Sequence, residues 1–197
     1  MTGDTIWVAT EPILGMGFKA PDGYTMATPL GEIAQHADVS ASFNDMIIGL
    51  IPGSMGETSV VAIAIGAVSL LWTGIASWKT MLSVFLGGGL MAVGFEQLGM
   101  SSIPWYEHIV LGGFCFGAVF MATDPVTSAR TESGKWVYGA LIGIMAVVVR
   151  VMNPGYPEGM MLAILFGNMF APLIDYCVVD RNISRRSKRG AQKNANQ

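Results

Sequence analysis

The stretch PDGYTMATPLGE, residues 21–32, sets one threonine hydroxyl, Thr28, between Ala27 and Pro29 in a turn-rich run of small residues. Composition alone makes Thr28 an accessible turn residue. Ionisable residues inside apolar runs form a second group, because a charge in hydrocarbon is costly and is kept for a partner or a pathway. They are Glu96 in GFEQLGM, Arg150 in VVVRVMNP and Asp175 in PLIDY. Glu96 and Arg150 lie near the ends of their runs, from where a side chain can also reach the interface. Asp175 can equally pair with the basic tail that follows it; with Glu96 it is the candidate for an ion path.

Two breaks in the apolar pattern read as helix starts. In GSMGETS, Ser54 and Glu57 have capping-box spacing after Pro52-Gly53, so a helix beginning near Ser54 offers free N–H groups and partial positive charge to an anion such as a phosphate. In TDPVTS, Asp124 precedes Pro125 and is expected to cap a short helix. No catalytic constellation accompanies them. His36 and His108 are isolated, and neither a GxxxxGK[ST] loop nor a GxGxxG fingerprint occurs. Cys115 and Cys177 fall in apolar runs without metal-ligand spacing and are expected to pack inside. No metal site is expected, and redox work requires an added cofactor.

The elements that must position these residues are membrane helices. Of 197 residues, 52% are hydrophobic and 13% charged, and the mean hydropathy is +0.50, which excludes an ordinary soluble domain. The net charge of -3 and a body without a basic face exclude nucleic acid. The first residues carry Asp4 and Glu11 and do not read as a signal peptide.

The pattern predicts an all-α polytopic bundle: a tail over 1–45, a helical region over 46–178 and a basic tail over 179–197. Five candidate spans fall at 58–76, 80–98, 108–122, 136–152 and 157–178, against the roughly 20 residues needed to cross. The third is short and ends at the Thr-Asp-Pro turn, as a re-entrant or broken segment would. Gly87 to Gly89, Gly112 with Gly113, and Gly139 with Gly143 are expected to let helices approach closely.

Orientation follows from the cations. Six of the eleven Lys and Arg residues lie in the last seventeen positions, which makes the C-terminus cytoplasmic under the positive-inside rule. Lys79, Arg130 and Lys135 then fall on the same side. With five crossings, the N-terminal tail and Thr28 face the exterior.

The run FMATDPVTSARTESGKWVYGALIGIMAVVVRVMNPGYPEGMMLAILFGNMFAPLIDYCVVDRNISRRSKR closely resembles the C-terminal region of the B subunit of the sodium-translocating NADH:quinone reductases. More distantly it resembles the D subunit of the Rnf complexes. The resemblance extends from about Asp22 to Arg189 and corresponds to the second half of family members built as two repeats, in a urea-transporter-like fold. It implies that DGYTMAT stands where the family carries DGxSGAT, so that Thr28 corresponds to the threonine bearing FMN through a phosphoester, with Asp22 and Gly23 opening the motif. Thr25 replaces serine and keeps its hydroxyl; Met26 replaces glycine. The helix start at Ser54 and Glu57 is expected to lie near the flavin.

The resemblance further implies a subunit, not catalytic alone, that helps carry electrons from NADH toward ubiquinone and couples this to sodium export. Its implied partners are the other subunits, a flavin transferase, ubiquinone, sodium ions and the bilayer of a bacterial inner membrane, with riboflavin belonging to the complete subunit. The alternatives are ferredoxin-linked electron transfer to NAD in an Rnf complex and, from another class, a urea-transporter-like channel for small solutes.

Overall fold

The computed structural model describes Leu30 and residues 43–51, 53, 56–101, 103–153, 156 and 158–195. Among these, seven α-helical segments follow one another: α1 (Phe43–Ile48), α2 (Val60–Trp72), α3 (Trp78–Gln97), α4 (Trp105–Val110), α5 (Phe114–Phe116), α6 (Glu132–Met152) and α7 (Met160–Ala195). A π-helical turn, Gly117–Met121, continues α5.

Three of the described helices are long and apolar enough to cross a membrane: Trp78–Gln97, Glu132–Met152 and Met160–Arg189. At 13 residues α2 is shorter, spanning about 20 Å against a hydrocarbon core of about 30 Å. The expected third span is discontinuous. It consists of α4, an extended Leu111, Gly112 at φ +63°, the three residues of α5 and the π turn. The architecture is thus the expected polytopic helical one, and the third segment is broken as expected, but at Leu111 to Gly113 and not at the Thr-Asp-Pro turn. Helix α7 runs through Pro172 and past residue 178 without interruption into the basic tail.

Glycine decides how α3 and α6 pack. A Cβ added at Gly143 would lie 2.2 Å from the Val84 carbonyl oxygen and 2.5 Å from the Gly88 nitrogen, so the two backbones touch there. Contact residues advance together along both helices, from Thr80 with Gly139 to Gly87 with Ala140 and Gly88 with Gly143, so α3 and α6 run parallel. This close approach is the small-residue packing that stabilises helices where lipid removes the hydrophobic drive. Helix α7 packs antiparallel on α6: Tyr138, fully buried, bonds to Asn168, Gly167 faces Ile142, and Asp175 reaches Arg130 and Thr131. The core between them is built from Val84, Phe95, Phe114, Ile142, Val147 and Ile164.

The two ends of the bundle differ. At one, Glu132 pairs with Lys79 and, at 2.8 Å, with Lys135, beside the edge-on ring pair Trp78 and Trp136. Cations and tryptophans at one level are the signature of an interface. At the other end lie Glu96, the start of α4, the break at Leu111 to Gly113, and Glu158 between α6 and α7.

Several local expectations are corrected. Helix α2 begins at Val60 with Ser59 as its N-cap, accepting from the Ala62 amide at 3.4 Å, whereas the capping-box spacing placed the start near Ser54. Gly56 at φ +85° interrupts the helical path between the two serines. Asp124 caps a turn and no helix forms there: it accepts from the amides of Val126 and Thr127 and the Thr127 hydroxyl, and the chain then opens. Cys115 is buried as expected, its thiol toward the Ile109 carbonyl, but Cys177 is exposed on α7. Arg150, which its terminal position allowed to reach the interface, is only 7% exposed.

Candidate functional site

The polar residues that converge in this fold do so at the end opposite Lys79 and Lys135, around the break between α4 and α5. A broken helix leaves carbonyls without partners on its first half and amides without partners on its second. Two side chains from distant parts of the chain supply them. Arg150, in the last turn of α6, donates through Nη1 to the His108 carbonyl and through Nη2 to that of Leu111 at 3.2 Å. A third, longer contact of 3.4 Å runs from Nη2 to the Glu158 carbonyl. The planar fork of arginine can serve several carbonyls at once, which a lysine cannot. On the other side of the break, the Gly113 amide donates to Glu158 Oε1 at 2.8 Å.

Glu57 joins this cluster. A Cβ at Gly113 would meet Glu57 Oε1 at 2.6 Å and Glu158 Oε1 at 3.0 Å, so only glycine leaves room for both carboxyl groups. The Glu158 carboxyl is held below the usual glutamate range, first by a hydrogen bond with Glu57, then by the Gly113 amide and the Arg150 charge, against the opposing effect of burial.

Leu30 is seated on the same spot. A Cβ at Gly112 would lie 2.3 Å from Leu30 Cδ1, 3.4 Å from Glu158 Oε1 and 3.5 Å from Arg150 Nη2. Leu30 is 4% exposed and packs with Met46, Ile51, Ile103 and Leu111. The helices that wall it, α1 and α4, also carry a half-exposed aromatic group: Phe43 stands edge-on to Tyr106 at 5.2 Å, and Tyr106 to Trp105 at 6.0 Å.

Of the residues singled out from the sequence, Thr28, Asp22, Gly23, Thr25 and Ser54 lie outside the described residues. Glu57 is brought into the cluster. Glu96 lies at the same end, where its Oε2 accepts from the Trp105 amide at 3.2 Å and serves the start of α4, whose N-cap is Pro104. Asp175 lies at the opposite end and is engaged with the entry to α6, accepting from the amides of Arg130 at 2.8 Å and Thr131 at 3.0 Å and from the Thr131 hydroxyl at 2.6 Å. Glu96 and Asp175 therefore do not meet. Sequence reasoning missed Glu158 and the role of Arg150. The signal that finds them is the PEG turn beside an intramembrane arginine, which places an acid and a cation within eight positions.

Among the described residues no group of three or more His, Cys, Asp and Glu side chains is placed to hold a metal ion. The described part of the site suits a flavin-bearing segment in three respects. Leu30 lies two residues after the DGYTMAT motif, Arg150 is a buried cation near Leu30, and the aromatic group offers flat apolar surface for a ring.

The chain resembles proteins from several bacteria. It is 51% identical over 200 residues to the B subunit of the Na(+)-translocating NADH-quinone reductase of Chromohalobacter salexigens, covering 97% of this chain and 46% of that protein. It is 48% identical over 194 residues to the protein of the same name in Ectopseudomonas mendocina, covering 96% and 47%, and 46% identical over 204 residues to that of Klebsiella pneumoniae strain 342, again covering 96% and 47%. The chain thus spans about half the length of these relatives. The family model of NQR2, RnfD and RnfE matches residues 1–184. With most of its length accounted for by that match, the chain belongs to the NQR2, RnfD, RnfE family of membrane proteins.

Proposed function

We propose that this chain is part of the B subunit of a sodium-translocating NADH:ubiquinone reductase and carries FMN on Thr28, joined through its phosphate to the threonine oxygen. The observation that carries this reading is the seat of Leu30 against Gly112, Arg150 and Glu158. Thr28 precedes Leu30 by two residues, over which extended chain covers at most about 7 Å, and this supports a site near the break between α4 and α5.

The bound flavin supplies one- and two-electron transfer between other carriers. This chain's own residues do the positioning. Arg150 and Glu158 hold the broken segment in one conformation by completing its backbone hydrogen bonds. Leu30 ties the motif to that segment. Phe43, Trp105 and Tyr106 offer apolar surface against which a ring can exclude water, while the buried guanidinium of Arg150 lies beside the seat of Leu30. Asp22, Gly23 and Thr25 shape the motif a transferase must recognise, and Met26 stands in its centre.

The complex implied is a hetero-oligomer in a bacterial inner membrane, with Thr28 on the periplasmic side and the basic tail of α7 in the cytoplasm. The reaction assigned to it is electron transfer from NADH to ubiquinone coupled to sodium export. Because the family also embraces RnfD, the second reading is the equivalent subunit of a ferredoxin-linked complex; the names borne by the relatives favour the first.

The test is mass spectrometry of the chain co-expressed with its flavin transferase. A peptide containing Thr28 heavier by one FMN is expected, with in-gel flavin fluorescence that disappears in Thr28→Ala. Fluorescence undiminished in that variant overturns the assignment.

A further inference from the structure

We propose that Glu57 and Glu158 form a proton-binding pair, one proton held between two carboxyl groups, which closes the turn before α2 onto the turn before α7 around Gly113. Both carboxyl groups lie over one glycine: Glu57 Oε1 and Glu158 Oε1 stand 2.6 and 3.0 Å from the position a Cβ would take. The two carboxyl groups are therefore neighbours across a single point above Gly113. Ionised carboxylates only accept, so a bond between two of them requires that one carry a proton. Two carboxylates at such range do not both ionise, and they titrate as a unit.

Arg150 is the independent sign that a single proton belongs there. It is buried, its Nη2 and Glu158 Oε1 flank the same point at Gly112, and its Nε has no hydrogen-bond partner. Beside one buried guanidinium, a pair holding one proton carries one negative charge and the cluster is neutral. Removing the proton leaves an excess negative charge in the cluster, and adding a second leaves an excess positive one; the buried guanidinium and the partly buried glutamates penalise both states.

The charged and titratable groups around the pair come from each element packed on it: Arg150 from α6, His108 from α4, bonded to Ser101, and Cys115 from α5. Glu158 Oε1 accepts the Gly113 amide, a bond that favours its ionised form. In the proposed pair the proton therefore sits on Glu57, whose hydroxyl donates to Glu158.

The sign of the pH dependence follows. The folded pair keeps a proton that free glutamates have released at neutral pH, so closure is strongest below the upper titration step of the pair and weakens as pH rises through it. Once the proton is lost, two facing charges push the turns apart and loosen the seat of Leu30. The inference concerns these side chains alone and stands whether or not Thr28 carries a flavin.

The test is infrared difference spectroscopy of the chain in its membrane complex as pH is stepped upward. A protonated-carboxyl stretch that bleaches with rising pH is expected in the wild type, absent from both Glu57→Gln and Glu158→Gln and retained in Glu96→Gln, a glutamate at the same end outside the pair. A wild type without the band, or a band that survives both substitutions, overturns the proposal. Thermal unfolding gives a second readout. The wild-type melting temperature should fall as pH rises past neutral while that of the double glutamine variant falls less, and equal slopes overturn the proposal too.

Discussion

The Gly113 amide donates to Glu158 Oε1 at 2.8 Å across 45 positions of the chain. It ties the amide end of a broken helix to the connection between the last two long helices, and an unpaired amide in its place carries a desolvation cost of about 1–3 kcal/mol. Glu158→Ala should therefore lower the melting temperature of the membrane-reconstituted protein. Glu158→Gln keeps an acceptor for the amide and should retain most of the stability. Thermal unfolding of both variants in nanodiscs checks the order.

Arg150 answers the carbonyl side of the same break, with contacts to His108 and Leu111. Arg150→Met should destabilise by about 3–5 kcal/mol, because the two glutamates nearby lose the buried charge that balances them. Arg150→Lys should recover only part of this, since a point charge on a flexible stem cannot reach both carbonyls together. Protease resistance of the Ser101 to Gly117 region, compared among the three proteins, measures it.

Gly143 and Gly94 make a matched pair of substitutions. At Gly143 a methyl group would run into the backbone of α3 at Val84 and Gly88, whereas at Gly94 it would meet nothing within 4 Å. Gly143→Ala should cost about 1–3 kcal/mol through overpacking. Gly94→Ala should be neutral or stabilising by about 0.5–1 kcal/mol, since alanine is the better helix residue. Parallel melting curves decide between them.

Asp175 accepts three hydrogen bonds at the entry to α6. Asp175→Ala should speed hydrogen exchange at the Arg130 and Thr131 amides and cost about 1 kcal/mol. Asp175→Asn keeps one acceptor oxygen and should fall between. If the asparagine variant keeps its melting temperature and loses sodium-dependent turnover, the carboxylate charge acts on the ion beyond its capping role.

Asp124 is exposed, and its carboxyl is held below the ordinary aspartate range by the Thr127 hydroxyl, then by the Val126 amide. A depressed pKa means that the turn is favoured above the pKa of a free aspartate and is lost as pH falls through the folded value. Amide exchange at Val126 and Thr127 should show protection that disappears in acid. In Asp124→Asn that dependence should be gone.

Three of the five expected spans, and the basic end of the chain, were legible in the sequence because each rests on local quantities. Apolar length marks Trp78–Gln97 and Glu132–Met152, and the clustering of Lys and Arg marks the far end of α7. That the third segment is broken was legible from its shortness and the Thr-Asp-Pro turn, but Gly112 and Gly113, where the break falls, read only as glycines of close helix packing. The start of α2 was not, because Ser54 and Ser59 carry equivalent hydroxyls and the conformation at Gly56 chooses between them. Nor was the cluster of Glu57, Arg150 and Glu158. Glu57 lies about a hundred residues before Arg150 and Glu158, and the three meet only because α3 and α6 run parallel while α7 returns. Which residues are membrane helix and which end is basic can be read from the chain alone, since hydropathy and charge act residue by residue. Which acids face the buried cation is set by the packed helices, because the free energy of a buried polar group depends on partners that chain position does not name.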